Sequence, residues 1–169
     1  ADFDSAFAAV GKLIETFRAN EAYYLGKDFV EASARSTFID KFFIALGWDV
    51  NHEEQTNPYE WEVRIENKTR TEGSQRRADY AFFVGPDFLD SDVKFLAEAK
   101  KPSRNLFNAD DYFQTIRYGW NRKTSVAVLT DFEEFHVIDC RYKPDPKKAL
   151  SRQLKRFHYT DFADPERFA

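Results

Sequence analysis

The sequence has one cysteine, Cys140, so no disulfide can close within the chain and the fold must rest on packing alone. Glycine is scarce. None of the six is spaced as GxG and none opens a GK[ST] loop, which excludes the glycine-rich cradles of nucleotide and dinucleotide sites. The three histidines, His52, His136 and His158, are too scattered for a zinc cluster or a histidine-based nuclease. No serine or cysteine sits in a nucleophile-elbow context. No apolar run approaches the ~18 residues of a membrane helix, and Ala1-Asp2-Phe3-Asp4 lacks the basic start and apolar stretch of a signal peptide. With the lone cysteine, these absences set the expectation of a cytoplasmic protein. Net positive charge is missing as well: a formal charge of −4 argues against a general electrostatic grip on nucleic acid. Carboxylate and lysine chemistry is what remains.

Aromatic residues, by contrast, are abundant: 18 Phe, 8 Tyr and 3 Trp in 169 residues supply one well-filled core. Charge is uneven. Residues 141 to 156 hold seven Lys or Arg against one Asp, and residues 1 to 31 hold six acids against three bases. Phe3, Phe7, Val10, Ile14 and Phe17 predict an amphipathic helix over 4–20, with Asp4 or Ser5 near its start. A second helix is expected from about Asp28 to Leu46, stopped by Gly47. Trp61, Val63 and Ile65 alternate with charged residues as in a half-exposed strand. Residues 78–84 and 93–100 read as central strands around a turn at Gly85-Pro86-Asp87. A helix over 109–121, strands over 125–129 and 135–138 and a last helix complete an α/β sandwich around a mixed sheet. Asn57-Pro58-Tyr59 faintly resembles the NPPY motif of amino-methyltransferases but lacks its second proline, and reads as a turn.

The chemistry-bearing constellation is Asp79, followed nineteen residues later by Glu98-Ala99-Lys100. Residues 98 and 100 share one face of their strand, and Asp79 meets Glu98 if the two strands are neighbours. Two adjacent carboxylates repel unless a cation lies between them, and all-oxygen ligation suits Mg²⁺. A lysine beside such a site orients a water or stabilises a developing anion, the combination phosphodiester hydrolysis needs. The same residues also fit an ordinary surface ion pair. Glu31 places a carboxylate on the core-facing side of its helix with Arg35, Phe38, Ile39 and Phe42, either as a structural pair with Arg35 or to reach the metal or its water. Gln114 and Tyr118, four apart on a helix, point the same way, toward the site or toward solvent. Arg76-Arg77 and Lys100-Lys101 with Arg104 flank both carboxylates, as phosphate positioning requires.

The strings RADYAFF (77–83), FLAEAKKPSRN (95–105), YFQTIRYGWN (112–121), VAVLTDFEEFHVIDCRYKP (126–144) and EASARSTFIDKFFIALGWDV (31–50) resemble the N-terminal nuclease domain of type IIG-like restriction–modification enzymes, and more distantly that of type I restriction R subunits. The likeness covers roughly residues 25 to 160. It implies a restriction-endonuclease-like PD-(D/E)xK core, with Asp79 and Glu98 as metal ligands, the carbonyl of Ala99 as a third and Lys100 as catalytic lysine. It further implies that Gln114 and Tyr118 form the QxxxY motif and that Glu31 is the helix carboxylate. Ala78 stands where the motif's proline is common. The resulting expectation is an Mg²⁺-dependent DNA endonuclease domain, with Mn²⁺ able to substitute, acting on double-stranded DNA. Residues 1–24 would form an N-terminal helix, 25–140 the catalytic core and 141–169 a basic extension toward a further domain. Methyltransferase and target-recognition regions would supply specificity. A non-catalytic DNA-binding module and a stand-alone repair nuclease or resolvase are the alternatives.

Overall fold

A computed structural model describes residues 1–66 and 78–169. Helix α1 (Phe3–Ala19) begins one residue earlier than expected, because the Asp2 side chain accepts from the Ser5 amide at 2.8 Å and caps it. Its stripe of Ala6, Val10, Ile14 and Phe17 is buried. After the short α2 (Glu21–Tyr24), Phe29 turns into the core against Tyr24. The chain is therefore still extended at Val30, and α3 (Glu31–Ala34) starts about three residues later than the sequence suggested. A π-helical stretch (Arg35–Ile39) links it to α4 (Asp40–Ala45), and Gly47 ends the run with φ 101°, the left-handed geometry expected of it.

Among the described residues the six strands are β1 (Val63–Ile65), β2 (Tyr80–Phe83), β3 (Val93–Ala99), β4 (Val126–Thr130), β5 (Glu134–Asp139) and β6 (Gln153–His158), and they stand in the sheet in chain order. All neighbours pair antiparallel except β3 and β4, which run parallel because helix α5 (Ala109–Arg122) crosses over between them. This is the mixed α/β sheet flanked by helices that the sequence predicts, compatible with a restriction-endonuclease-like fold. Strand β6 is a correction: the last long element is a strand rather than a helix, followed by a 3-10 stretch (Tyr159–Ala163) and the four-residue α6 (Pro165–Phe168). Trp61 lies outside β1, and Pro58–Glu60 forms the expected turn as a single 3-10 turn capped by Asn57.

Strand alternation divides the core in two. Phe17, Phe38, Phe42 and Phe132 pack with Tyr80, Phe82, Ala97 and Ala99 under α1 and α4. On the opposite face, Leu96, Ala127, Leu129 and Ile138 meet Tyr112, Ile116 and Tyr118 of α5. Glu98, two positions after Leu96, belongs to the α5 face. No helix among the described residues is long and apolar enough to cross a membrane.

Candidate active site

The register of β2 on β3 pairs Tyr80 with Ala97, so one step further Asp79 stands opposite Glu98 at the strand ends. Backbone amides cross-link the two carboxylates. Ala99 N–H donates to Asp79 Oδ2 at 2.8 Å, and Asp79 N–H donates to Glu98 Oε2 at 3.2 Å. Both acids are almost completely buried, at 1% and 3% exposure. Lys100 comes directly after β3, its Nζ 3.6 Å from Glu98 Oε1, and its own amide continues the pairing by donating to Thr130 O at 2.9 Å. Glu31 joins them from the first turn of α3, so that ligand oxygens of Glu31, Asp79 and Glu98 all lie within 4.8 Å of one another. Nineteen residues and a turn separate Asp79 from Glu98, and Glu31 lies in another layer of the fold. Five of the residues predicted from the sequence, Glu31, Asp79, Glu98, Ala99 and Lys100, are thus brought to one corner.

Bringing two buried carboxylates and a half-buried third together costs free energy unless positive charge offsets it. Lys100 supplies one cation and Arg35 a second. Arg35 Nη1 reaches Asp79 Oδ1 at 3.3 Å, and Nε donates to the Tyr80 hydroxyl at 3.4 Å while the guanidinium lies 5.0 Å above that ring. The Tyr80 hydroxyl in turn donates to Asp40 in a short hydrogen bond. Burial works against the Arg35 charge, but Tyr80, Asp79 and Asp40 outweigh it and hold the guanidinium pKa above its ordinary value. The Tyr80 hydroxyl is kept protonated first by burial and then by Asp40. The sequence offered Glu31 as the helical partner of Arg35. In the fold the guanidinium contacts Asp79 across layers, and helical spacing carries no signal for that contact.

Gln114 and Tyr118 bond to each other, Nε2 to Oη at 3.1 Å, with Tyr118 buried in the cluster that contains Ala78, Ala81 and Leu96. Their α5 face turns inward rather than to solvent. The loop entering α5 adds a group the sequence reasoning missed. Buried Asp111 accepts Arg104 at 2.6 and 2.9 Å and Asn108 Nδ2 at 2.8 Å. Burial alone would raise the Asp111 pKa, yet Arg104, Asn108 and nearby Lys100 bring it below the usual range. Arg104 is held charged by Asp111 first, and Glu31 adds to the effect. The available signal was Asp111 on the apolar side of α5, beside Tyr112 and Thr115. Arg76 and Arg77 lie outside the described residues. Of the basic strip, Arg141 is paired with Asp139 and Arg156 with Glu134, while Lys143, Lys147, Lys148 and Lys155 are exposed.

The donor set of this corner is oxygen only, with no histidine or cysteine in it, and a hard divalent cation such as Mg²⁺ fits that chemistry. No family model matches the chain, and no solved structure matches it. The chain is 32% identical over 158 residues to the type II restriction enzyme and methyltransferase RM.Eco57I of Escherichia coli. That match takes in 90% of this chain and spans 15% of the length of the curated relative. The similarity relates this chain to restriction–modification enzymes.

Proposed function

We propose that this chain is a metal-dependent DNA-cleaving module of a restriction–modification enzyme, hydrolysing phosphodiester bonds at the Glu31–Asp79–Glu98 corner. The observation that carries the proposal is the convergence of three carboxylates within 4.8 Å beside a lysine. Asp79 and Glu98 would hold Mg²⁺ or Mn²⁺ with the Ala99 carbonyl, and the position of Glu31 suits a further ligand or the orientation of a bound water. A bound Mg²⁺ lowers the pKa of its water and neutralises charge on the phosphate under attack. The protein supplies the rest. The amides of Ala99 and Asp79 hold the carboxylates in place. Lys100, against Glu98, presents an ammonium to the attacking water or to the oxygen on which negative charge develops. Gln114 and Tyr118 brace the α5 face behind this corner. Exposed Lys101 adds positive charge for the DNA backbone, which positions the duplex without reading its sequence.

The test is a supercoiled plasmid incubated with the purified chain with and without Mg²⁺. Nicking should require the cation and stop in chelator. Asp79→Asn, Glu98→Gln and Lys100→Ala should each lower it by at least ~100-fold, the scale expected of a positioned acid–base group, while circular dichroism shows the fold intact. Three variants that cut like the parent would overturn the assignment.

A further inference from the structure

We infer that Arg35 is, beside Lys100, a counter-ion of the carboxylate corner when no divalent cation is bound, and that a cation entering the corner competes with it for Asp79. The inference rests on the proposed metal site and adds a competitor to it. Asp79 Oδ2 already accepts the Ala99 amide at 2.8 Å, and Oδ1 lies 3.3 Å from Arg35 Nη1. A cation bridging Asp79 to Glu98 and Glu31 therefore meets a guanidinium on its first ligand. The guanidinium is not held by Asp79 alone. The Tyr80 hydroxyl accepts from Nε at 3.4 Å, the Tyr80 ring lies under it, and Asp40 holds that hydroxyl from the next turn of the helix. These contacts leave Arg35 a place to stay, close to the corner, once Oδ1 is withdrawn. The π-helical stretch begins at Arg35, so both ends of this tether, Arg35 and Asp40, bracket the one irregular turn of the helix.

Two consequences follow from electrostatics. Positive charge this close opposes loading of a second cation, so the free protein binds metal more weakly than its three carboxylates alone would dictate. The same charge stabilises the metal-free protein by offsetting the carboxylates. Arg35 is thus a positioning residue that sets the affinity for the cation, and it need not touch the substrate.

Ca²⁺ titrated into the full chain without DNA, followed by calorimetry, measures this directly, with melting temperature in chelator as a second readout. Arg35→Met should tighten Ca²⁺ binding by roughly tenfold or more, by analogy with the low end of what a charge within ~4–6 Å does to a carboxylate's proton affinity, and should lower the melting temperature in chelator. Arg35→Lys, which keeps the charge, should fall between parent and Arg35→Met in Ca²⁺ affinity. Lys101→Met, an exposed cation nearby, should change it little. Unchanged or weaker Ca²⁺ binding in a folded Arg35→Met overturns the inference while leaving the metal site standing. If the parent binds no Ca²⁺, or binds it equally well after Glu98→Gln, both the metal site and the inference fail. Tightening of equal size in Lys101→Met also overturns the inference, since the effect would then be general charge rather than competition at Asp79.

Discussion

At the scale of single residues, the carboxylate corner is a concentration of charge that the rest of the fold has to tolerate. Glu31 is the half-buried member of the trio. Neutralising it removes repulsion from Asp79 and Glu98, so Glu31→Gln should lower cleavage while leaving the melting temperature unchanged or raising it by about 2–4 °C, the equivalent of ~1 kcal/mol in a protein of this size. A large fall in melting temperature would show Glu31 to be structural instead. Asp131 makes a second residue-scale prediction. It is buried in the β4–β5 turn, where Oδ1 accepts the Glu134 amide at 2.8 Å and Oδ2 has no partner. Burial first, then Glu133 and Glu134, push its pKa up to about 8, against the relieving amide. The folded state therefore keeps a proton that the unfolded chain loses near pH 4. Stability from this group is fully present below that pH, declines as pH rises and is gone above about 8. Thermal melts across that window should show a smaller decline for Asp131→Asn than for the parent, and parallel curves would refute the raised pKa. The Asp79, Glu98 and Lys100 set was legible in the sequence because strand spacing puts i and i+2 on one face. The Arg35–Asp79 contact was not, since pairing between layers leaves no periodic trace.

At the scale of elements, the site depends on how closely α5 lies on the sheet. Gly119 allows that approach. A Cβ at this position would stand 2.5 Å from Cys140 Sγ and 2.7 Å from its Cβ. Gly119→Ala should therefore lift α5, at a cost of about 1–3 kcal/mol, visible as a fall in melting temperature, and should disturb Tyr118 one residue away. Cys140→Ala should not restore it, because the Cβ itself is in the way. A stable, fully active Gly119→Ala protein would mean that the packing here is looser than these distances state. Helix α1 could be read from its period of 3.6, and the central strands from short apolar, aromatic runs on either side of a turn. Strand β6 could not. Leu154, Lys155 and Arg156 are all exposed on this edge strand, and charged side chains on an edge both protect it from other strands and erase the alternation that announces one. Its identity comes from pairing with β5, a tertiary fact.

For the molecule as a whole, a formal charge of −4 and a basic strip in which Arg141 and Arg156 are paired with Asp139 and Glu134 leave the exposed lysines of that strip as the main local attraction for a duplex. Under the proposed function this protein should bind DNA weakly, lose affinity steeply as salt rises, and nick without a defined site. The described residues show no helix-turn-helix or zinc module to enter a groove and read base edges. Long DNA incubated with the chain in Mg²⁺ should give a smear, and a discrete, reproducible fragment pattern would contradict this expectation.

The three carboxylates belong to different parts of the chain, Glu31 to the helical layer and Asp79 and Glu98 to the sheet, joined by the Phe17, Phe38 and Phe132 aromatic cluster. Under the proposed function, hydrolytic competence would therefore be a property of the completed fold. A chain that has formed its sheet but not yet docked its helices has neither the third carboxylate nor the guanidinium in place. During folding, or in a partial opening of the helical layer, the molecule is disarmed before it is unfolded.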